Sequence, residues 1–176
     1  LRPDTCDLLV CSPMSLADLI SYSLACKDTR RAVRSFATNA FQFHHCVAEF
    51  LTRDEAEHLQ DVLRSTGAII SGSVALQFFT REPIDGCDLD IYTDRFRALE
   101  LFTFVMDTSY VFSPRAVQDD RLDAAFASAL KEEVIRDDLI YDKESILDAF
   151  SFTCPTRDDK VIQIIVVAHS SIDAVL

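Results

Sequence analysis

The chain has 176 residues, 29 of them acidic and 17 basic, which leaves a net charge of −12. Apolar residues make up 49%, with only three Gly and five Pro; this excludes a low-complexity, collagen-like or disordered acidic chain and allows one main core. The acidic balance argues against holding nucleic acid by bulk charge, yet leaves room for a site where bound cations handle phosphates.

The six cysteines, Cys6, Cys11, Cys26, Cys46, Cys87 and Cys154, form no C-x-x-C pair. Most sit in apolar runs and read as buried, reduced thiols, which points to an intracellular compartment, cytoplasmic or nuclear. No signal peptide is visible, and apolar runs such as residues 161–168 are too short to span a bilayer, so no membrane association is expected. The chain starts at Leu1 and stops as an amphipathic pattern begins, as expected of an excerpt from a longer protein.

In chain order, the first 45 or so residues read as short helices. Ser15 caps one of them, with Asp18 in its first turn and Leu16, Leu19, Ile20 and Leu24 following the helical stripe. Arg30, Arg31 and Arg34 read as a solvated face. His44 and His45 are adjacent, so they leave a helix on different faces and are not expected to chelate one metal. Thr52 and Glu55 form a capping box for a helix whose Ala56, Leu59, Val62 and Leu63 share a face and which ends at Gly67.

The period then changes. Ala68-Ile69-Ile70 reads as a short buried strand, Ser71-Gly72-Ser73 as a turn, and Val74 to Phe79 as a helix. Asp88-Leu89-Asp90-Ile91-Tyr92 alternates with period two and reads as a strand. A helix capped by Thr93 or Asp94 is expected to reach Met106 with Phe96, Leu99, Phe102 and Val105 inward. Residues 110–145 read as helix plus mobile loop. Ile146 to Thr153 and Lys160 to Ala168 read as a hairpin joined by residues 155–159, and Ser170 or Ser171 as the cap of a final helix.

The chemistry concentrates between Gly67 and Asp94. Gly72 lets the backbone approach a ligand, and Ser73 stands at a helix N-terminus, where free amides favour an anion such as phosphate. Asp88 and Asp90, two residues apart on a strand, leave the same face with Cα atoms roughly 6.6 Å apart. Two carboxylates so placed suit Mg²⁺, a hard cation that takes oxygen ligands and keeps room for substrate phosphates.

Ile70-Ser71-Gly72-Ser73 followed, across a helix, by Cys87-Asp88-Leu89-Asp90-Ile91-Tyr92 resembles the nucleotidyltransferase superfamily with the polymerase-β-like fold. The resemblance implies an α/β (α+β) domain with a mixed sheet over residues 49–176. It implies Gly72 and Ser73 at the nucleoside triphosphate, Asp88 and Asp90 on catalytic Mg²⁺, and transfer of a nucleotide to a hydroxyl. Fourteen residues separate Ser73 from Asp88, toward the long end of the pattern. The family's third carboxylate lies on a later strand; here Gln163, in Val161-Ile162-Gln163-Ile164-Ile165, takes that slot without a charge. Asp158 and Asp159 are the nearby acids, and a symmetric hairpin would put Ser151 opposite Gln163, whereas a slip of one residue would bring Asp148 toward that face. Catalytic degeneracy is one implication of Gln163. The G-x-S-x-G elbow is absent, so Ser73 is not expected to act as a hydrolase nucleophile.

Residues 1–48, with Leu1, Pro3, Asp4, Leu8, Leu9, Met14, Ser15-Leu16-Ala17-Asp18-Leu19, Ser23-Leu24-Ala25-Cys26-Lys27 and Arg30, resemble an F-box. That resemblance implies docking on the small adaptor subunit of cullin-based ubiquitin ligases, and a non-enzymatic substrate receptor as the alternative function.

Overall fold

The computed structural model describes residues 8–137, 146–171 and 175, with the backbone alone for residues 132–137, 158 and 159. After a helical turn at residues 8–11 come α1 (Leu16–Ala25), α2 (Lys27–Ala40), α3 (Phe43–Cys46) and α4 (Arg53–Thr66). The α/β part continues as β1 (Ile69–Ser71), α5 (Gly72–Thr80), β2 (Leu89–Asp94), α6 (Ala98–Met106), β3 (Val111–Ser113), α7 (Leu122–Asp137), β4 (Ile146–Cys154) and β5 (Arg157–Val167).

Local chemistry sets the helix ends. Ser15 and Asp18 exchange hydrogen bonds at the start of α1, as do Thr52 and Glu55 at the start of α4. Gly67 closes α4 in the left-handed region at φ 70°. Cys26 caps α2, its sulfur accepting from the Thr29 amide. Cys11, Cys87 and Cys154 are buried, as expected of small hydrophobes, whereas Cys46 is half-buried and Cys26, the cap of α2, is exposed.

Among the described residues, five strands form one mixed sheet in the order β1-β2-β5-β4-β3. Only β2 and β5 run parallel; the other neighbours are antiparallel. Leu89, Ile91, Ile162, Ile164, Phe150 and Phe152 are fully buried on the face that carries the main core. There Phe102 of α6 meets Phe150 at 5.0 Å and Phe126 of α7 at 5.3 Å between ring centroids, edge to face. Each such buried side chain contributes about 1.5–3 kcal/mol, so a one-residue slip of β2 or β5 would be strongly disfavoured.

A second, smaller cluster belongs to the N-terminal helices: Cys11, Leu19 and Phe36 are buried there, with Met14, Tyr22, Val33 and Phe41 packed around them. Most of the expected α1 stripe stays uncovered. Leu19 is buried, whereas Ile20 and Leu24 are 56% and 70% exposed. Among the described residues, no helix is long and apolar enough to cross a membrane.

Several expectations need correction. Ser71-Gly72-Ser73 is not a separate turn, because α5 begins at Gly72 itself. Strand β2 runs on through Thr93 and Asp94, and α6 starts only at Ala98. Asp94 caps the intervening turn, accepting from the amides of Phe96 and Arg97 at 2.8 and 3.1 Å. Asp94 is thus one of the two caps expected, and Phe102 and Val105 are inward as expected, whereas Phe96, in the turn, and Leu99 are exposed because α6 buries Ala98 and Leu101 beside them. Residues 111–113 form an edge strand rather than loop or helix. The hairpin turn is Pro155-Thr156 alone, because β5 already begins at Arg157. Residues 1–7, 138–145, 172–174 and 176 lie outside the described residues, so the start of the F-box-like segment with Cys6, the expected mobile loop and most of the final helix are not described.

Candidate functional site

Cross-strand pairing assembles the site. Ser71 lies opposite Asp90, Asp90 opposite Gln163, Gln163 opposite Ser151, and Ser151 opposite Ser113. Directly paired residues share a sheet face, so one polar row crosses all five strands on the face away from Ile91 and Ile164. Every member of this row is half-buried. Ser151 opposite Gln163 is the symmetric register expected from the hairpin.

Gly72, at the start of α5, adopts φ +70°. An ideal Cβ built there would stand 2.2 Å from Asp90 Oδ2 and 3.2 Å from its Cγ. The backbone of α5 and the Asp90 carboxylate therefore meet at a distance that only glycine allows. Ser71, the N-cap of α5, makes no side-chain cap bond, so that side chain leaves the first-turn amides to other acceptors. Ser73 is half-buried in this first turn, beside Gly72 in the chain.

Asp88 stands one residue before β2. The loop that carries it is anchored from behind. Gln77 of α5 accepts from the Ile84 amide at 3.2 Å, and the Cys87 thiol donates to the Ile84 carbonyl at 2.9 Å. In front, Gln163 Nε2 donates to Asp88 Oδ2 at 3.0 Å. Burial, and then the neighbouring Asp88 charge, hold the Asp90 carboxyl above its ordinary pKa. Two acids are thus kept together at an energetic cost, which a cation between them would relieve.

The structure thus brings Gly72, Asp88, Asp90 and Gln163 together, with Ser73 adjacent. Asp148 does not join them. It pairs with Val166, on the core side of β5, and is held by Arg115 and by Gln118 Nε2 at 2.8 Å. At the backbone level, Asp159 precedes Gln163 by four residues on β5, about 13 Å along the strand. Among the described residues, no group of three or more His, Cys, Asp or Glu is placed to hold a metal. The pair Asp88/Asp90 nonetheless offers the oxygen donors a hard cation takes, and the absence of a Cβ at Gly72 lets the Asp90 carboxylate lie against the start of α5. His44 and His45 pack ring against ring at 4.1 Å in α3, remote from these acids in the chain.

Sequence reasoning missed Ser113, because the three-residue strand β3 has too little pattern to read, and it used Ser71 only as part of the turn. Two cavities lie elsewhere. One of about 510 Å³ between α6 and α7 is lined by Leu99, Phe102, Met106 and Phe126 among others. Another of about 600 Å³ lies beside Arg95, Arg97 and His169.

Comparison with protein-family models gives no match, and no curated protein or solved structure matches the chain. The fold is that of a mixed α/β protein, with a five-stranded mixed sheet among the described residues.

Proposed function

We propose that the chain carries a nucleotidyltransferase-like site. In this reading Asp88 and Asp90 hold Mg²⁺, the Gly72–Ser73 start of α5 receives the triphosphate, and a nucleotide is transferred to a hydroxyl acceptor. The observation that carries the reading is the contact of Gly72 with Asp90, which joins a helix N-terminus to a carboxylate pair. Bound Mg²⁺ would supply charge neutralisation for the phosphates. In the transfer, the acceptor oxygen forms a bond to the α-phosphorus, and the bond from that phosphorus to the oxygen bridging to the β-phosphorus breaks. Pyrophosphate departs and the hydroxyl proton passes to water. Titration calorimetry with Mg²⁺ and a nucleoside triphosphate tests the reading. Binding to the wild type and its loss in Asp88→Asn/Asp90→Asn are expected; no binding, or equal binding, would refute it.

A second reading has its own support. Leu9, Ile20 and Leu24, on the N-terminal helices, are 68%, 56% and 70% exposed, an apolar surface with no cover within the described residues. Residues 1–48 would then act as an F-box-like segment of a non-enzymatic receptor, docking on the ubiquitin-ligase adaptor. A pull-down with that adaptor should retain the chain and lose it on Ile20→Asp/Leu24→Asp.

A further inference from the structure

Gln163 stands at the centre of the polar row, and its chemistry limits what the neighbouring acids can do. Gln163 turns its amide nitrogen, and not its carbonyl, to Asp88 Oδ2 at 3.0 Å, and an amide N–H donates. Its N–H therefore occupies one lone pair of Asp88 and sets partial positive charge beside that carboxylate. Gln163 also lies directly opposite Asp90 in the parallel ladder, so it flanks both acids.

Charge counting points the same way. Two carboxylates neutralise one divalent cation and leave a second uncompensated. Two-metal sites hold their ions about 3.5–4 Å apart and need further anionic ligands between or beside them. The next residues along the row, Ser151 and Ser113, bring hydroxyls and no charge. The nearest acid of β4, Asp148, belongs to the core side and is engaged by Arg115 and Gln118.

We infer that Gln163 is a positioning residue that fixes Asp88 and restricts the Asp88/Asp90 pair to a single divalent cation. This rests on the metal-binding reading proposed above and adds a stoichiometry to it. The site then holds a cation for the triphosphate but supplies none to the attacking hydroxyl, so binding of nucleotide outweighs its transfer. Gln163→Glu adds a carboxylate at the same register position and opens a second cation position.

The test is Mn²⁺ titration of the full chain, with bound ions counted by electron paramagnetic resonance and folding checked by thermal melting. One Mn²⁺ per chain is expected for the wild type. Gln163→Glu should bind two, with the spin-coupled spectrum of a close pair, and Asp88→Asn/Asp90→Asn should bind none. Two ions on the wild type, or a single ion on folded Gln163→Glu, would overturn the assignment of Gln163 while leaving the metal site standing. No Mn²⁺ on either folded protein would overturn the metal-binding reading itself. Gln163→Ala separates a packing role from this one: it should melt near the wild type and still bind one ion, more weakly, because Asp88 is no longer held.

Discussion

A β-carbon on Gly72 would lie 2.2 Å from Asp90 Oδ2, so helix α5 and strand β2 share a point of contact that no other residue type permits. Gly72→Ala meets two obstacles there. The left-handed backbone costs an alanine about 1–2 kcal/mol, and the Asp90 carboxylate must move as well. Gly67 is the control, because it has a similar φ of +70° but nothing within 4 Å of an added Cβ. Gly67→Ala should lower the melting temperature by about 2–8 °C. Gly72→Ala should lower it at least as far and also abolish Mn²⁺ binding, which Gly67→Ala keeps. Retained Mn²⁺ affinity in Gly72→Ala would count against the cradle.

The acid pair predicts a pH dependence of stability. Asp90 holds its proton more tightly folded than unfolded, owing to burial and to Asp88. The folded state therefore binds more protons than the unfolded one between the ordinary carboxylate pKa and the raised value, and Asp90's contribution to stability falls as pH rises through that window. Asp90→Asn removes the penalty. Without added metal, the variant should be the more stable protein at pH 7 in urea unfolding, with the gap closing as pH falls toward about 4. Saturating Mn²⁺ should stabilise the wild type and leave Asp90→Asn unchanged. A variant less stable than wild type at pH 7 would contradict the assigned strain.

The site's raw material was legible in the sequence because it depends on local rules. Period two places Asp88 and Asp90 on one face and Leu89 and Ile91 on the other, and burial follows that division. Gly67 and the Thr52–Glu55 box are likewise local, and both occur. What could not be read is what depends on partners distant in sequence. The amide of Gln163 reaches Asp88 only because β5 pairs in parallel with β2, a neighbour 75 positions away in the chain. Phe96 and Leu99 face solvent against the apolar pattern: Asp94 caps as expected, but Phe96 falls in the turn before α6, and that helix buries Ala98, Leu101, Phe102 and Val105. The edge strand β3 takes its structure from β4, and three residues carry no period of their own.

Tyr110 is buried in the main core, and its hydroxyl donates to the Phe50 carbonyl at 3.1 Å. Burial pushes its pKa up to about 12. The unfolded tyrosine ionises near pH 10, so the folded chain retains a proton that the unfolded chain loses between about pH 10 and 12. Its stabilising contribution is complete below about pH 10 and declines as pH rises through that range. Tyr110→Phe leaves the Phe50 carbonyl without this donor and should cost about 1–2 kcal/mol at pH 7. The same variant should show a flatter alkaline limb in urea melts from pH 9 to 11. An unchanged limb would mean that Tyr110 does not govern it.

Arg81 joins the N-terminal helices to the α/β part. It follows α5 in the left-handed region at φ 62°, an uncommon state for a residue with a side chain. Its guanidinium donates to the carbonyls of Ser12, at 3.2 Å, and of Met14, and it lies 5.3 and 5.8 Å from the ring centres of Phe36 and Phe41. Phe41 in turn meets Phe78 of α5 at 5.5 Å. Arg81→Gly relieves the backbone and removes the clamp, so the two effects separate by region. Hydrogen bonds to a charged group contribute about 1.5–3 kcal/mol each, so losing even one corresponds to about tenfold or more in local opening. Amide exchange should accelerate by that factor in residues 16–40 and stay unchanged in residues 89–94 and 161–167, where the sheet core is buried on its own account. Arg81→Lys keeps the charge but loses the fork, and should fall between the two. Equal acceleration in both regions would show that Arg81 supports the whole fold and not the junction alone.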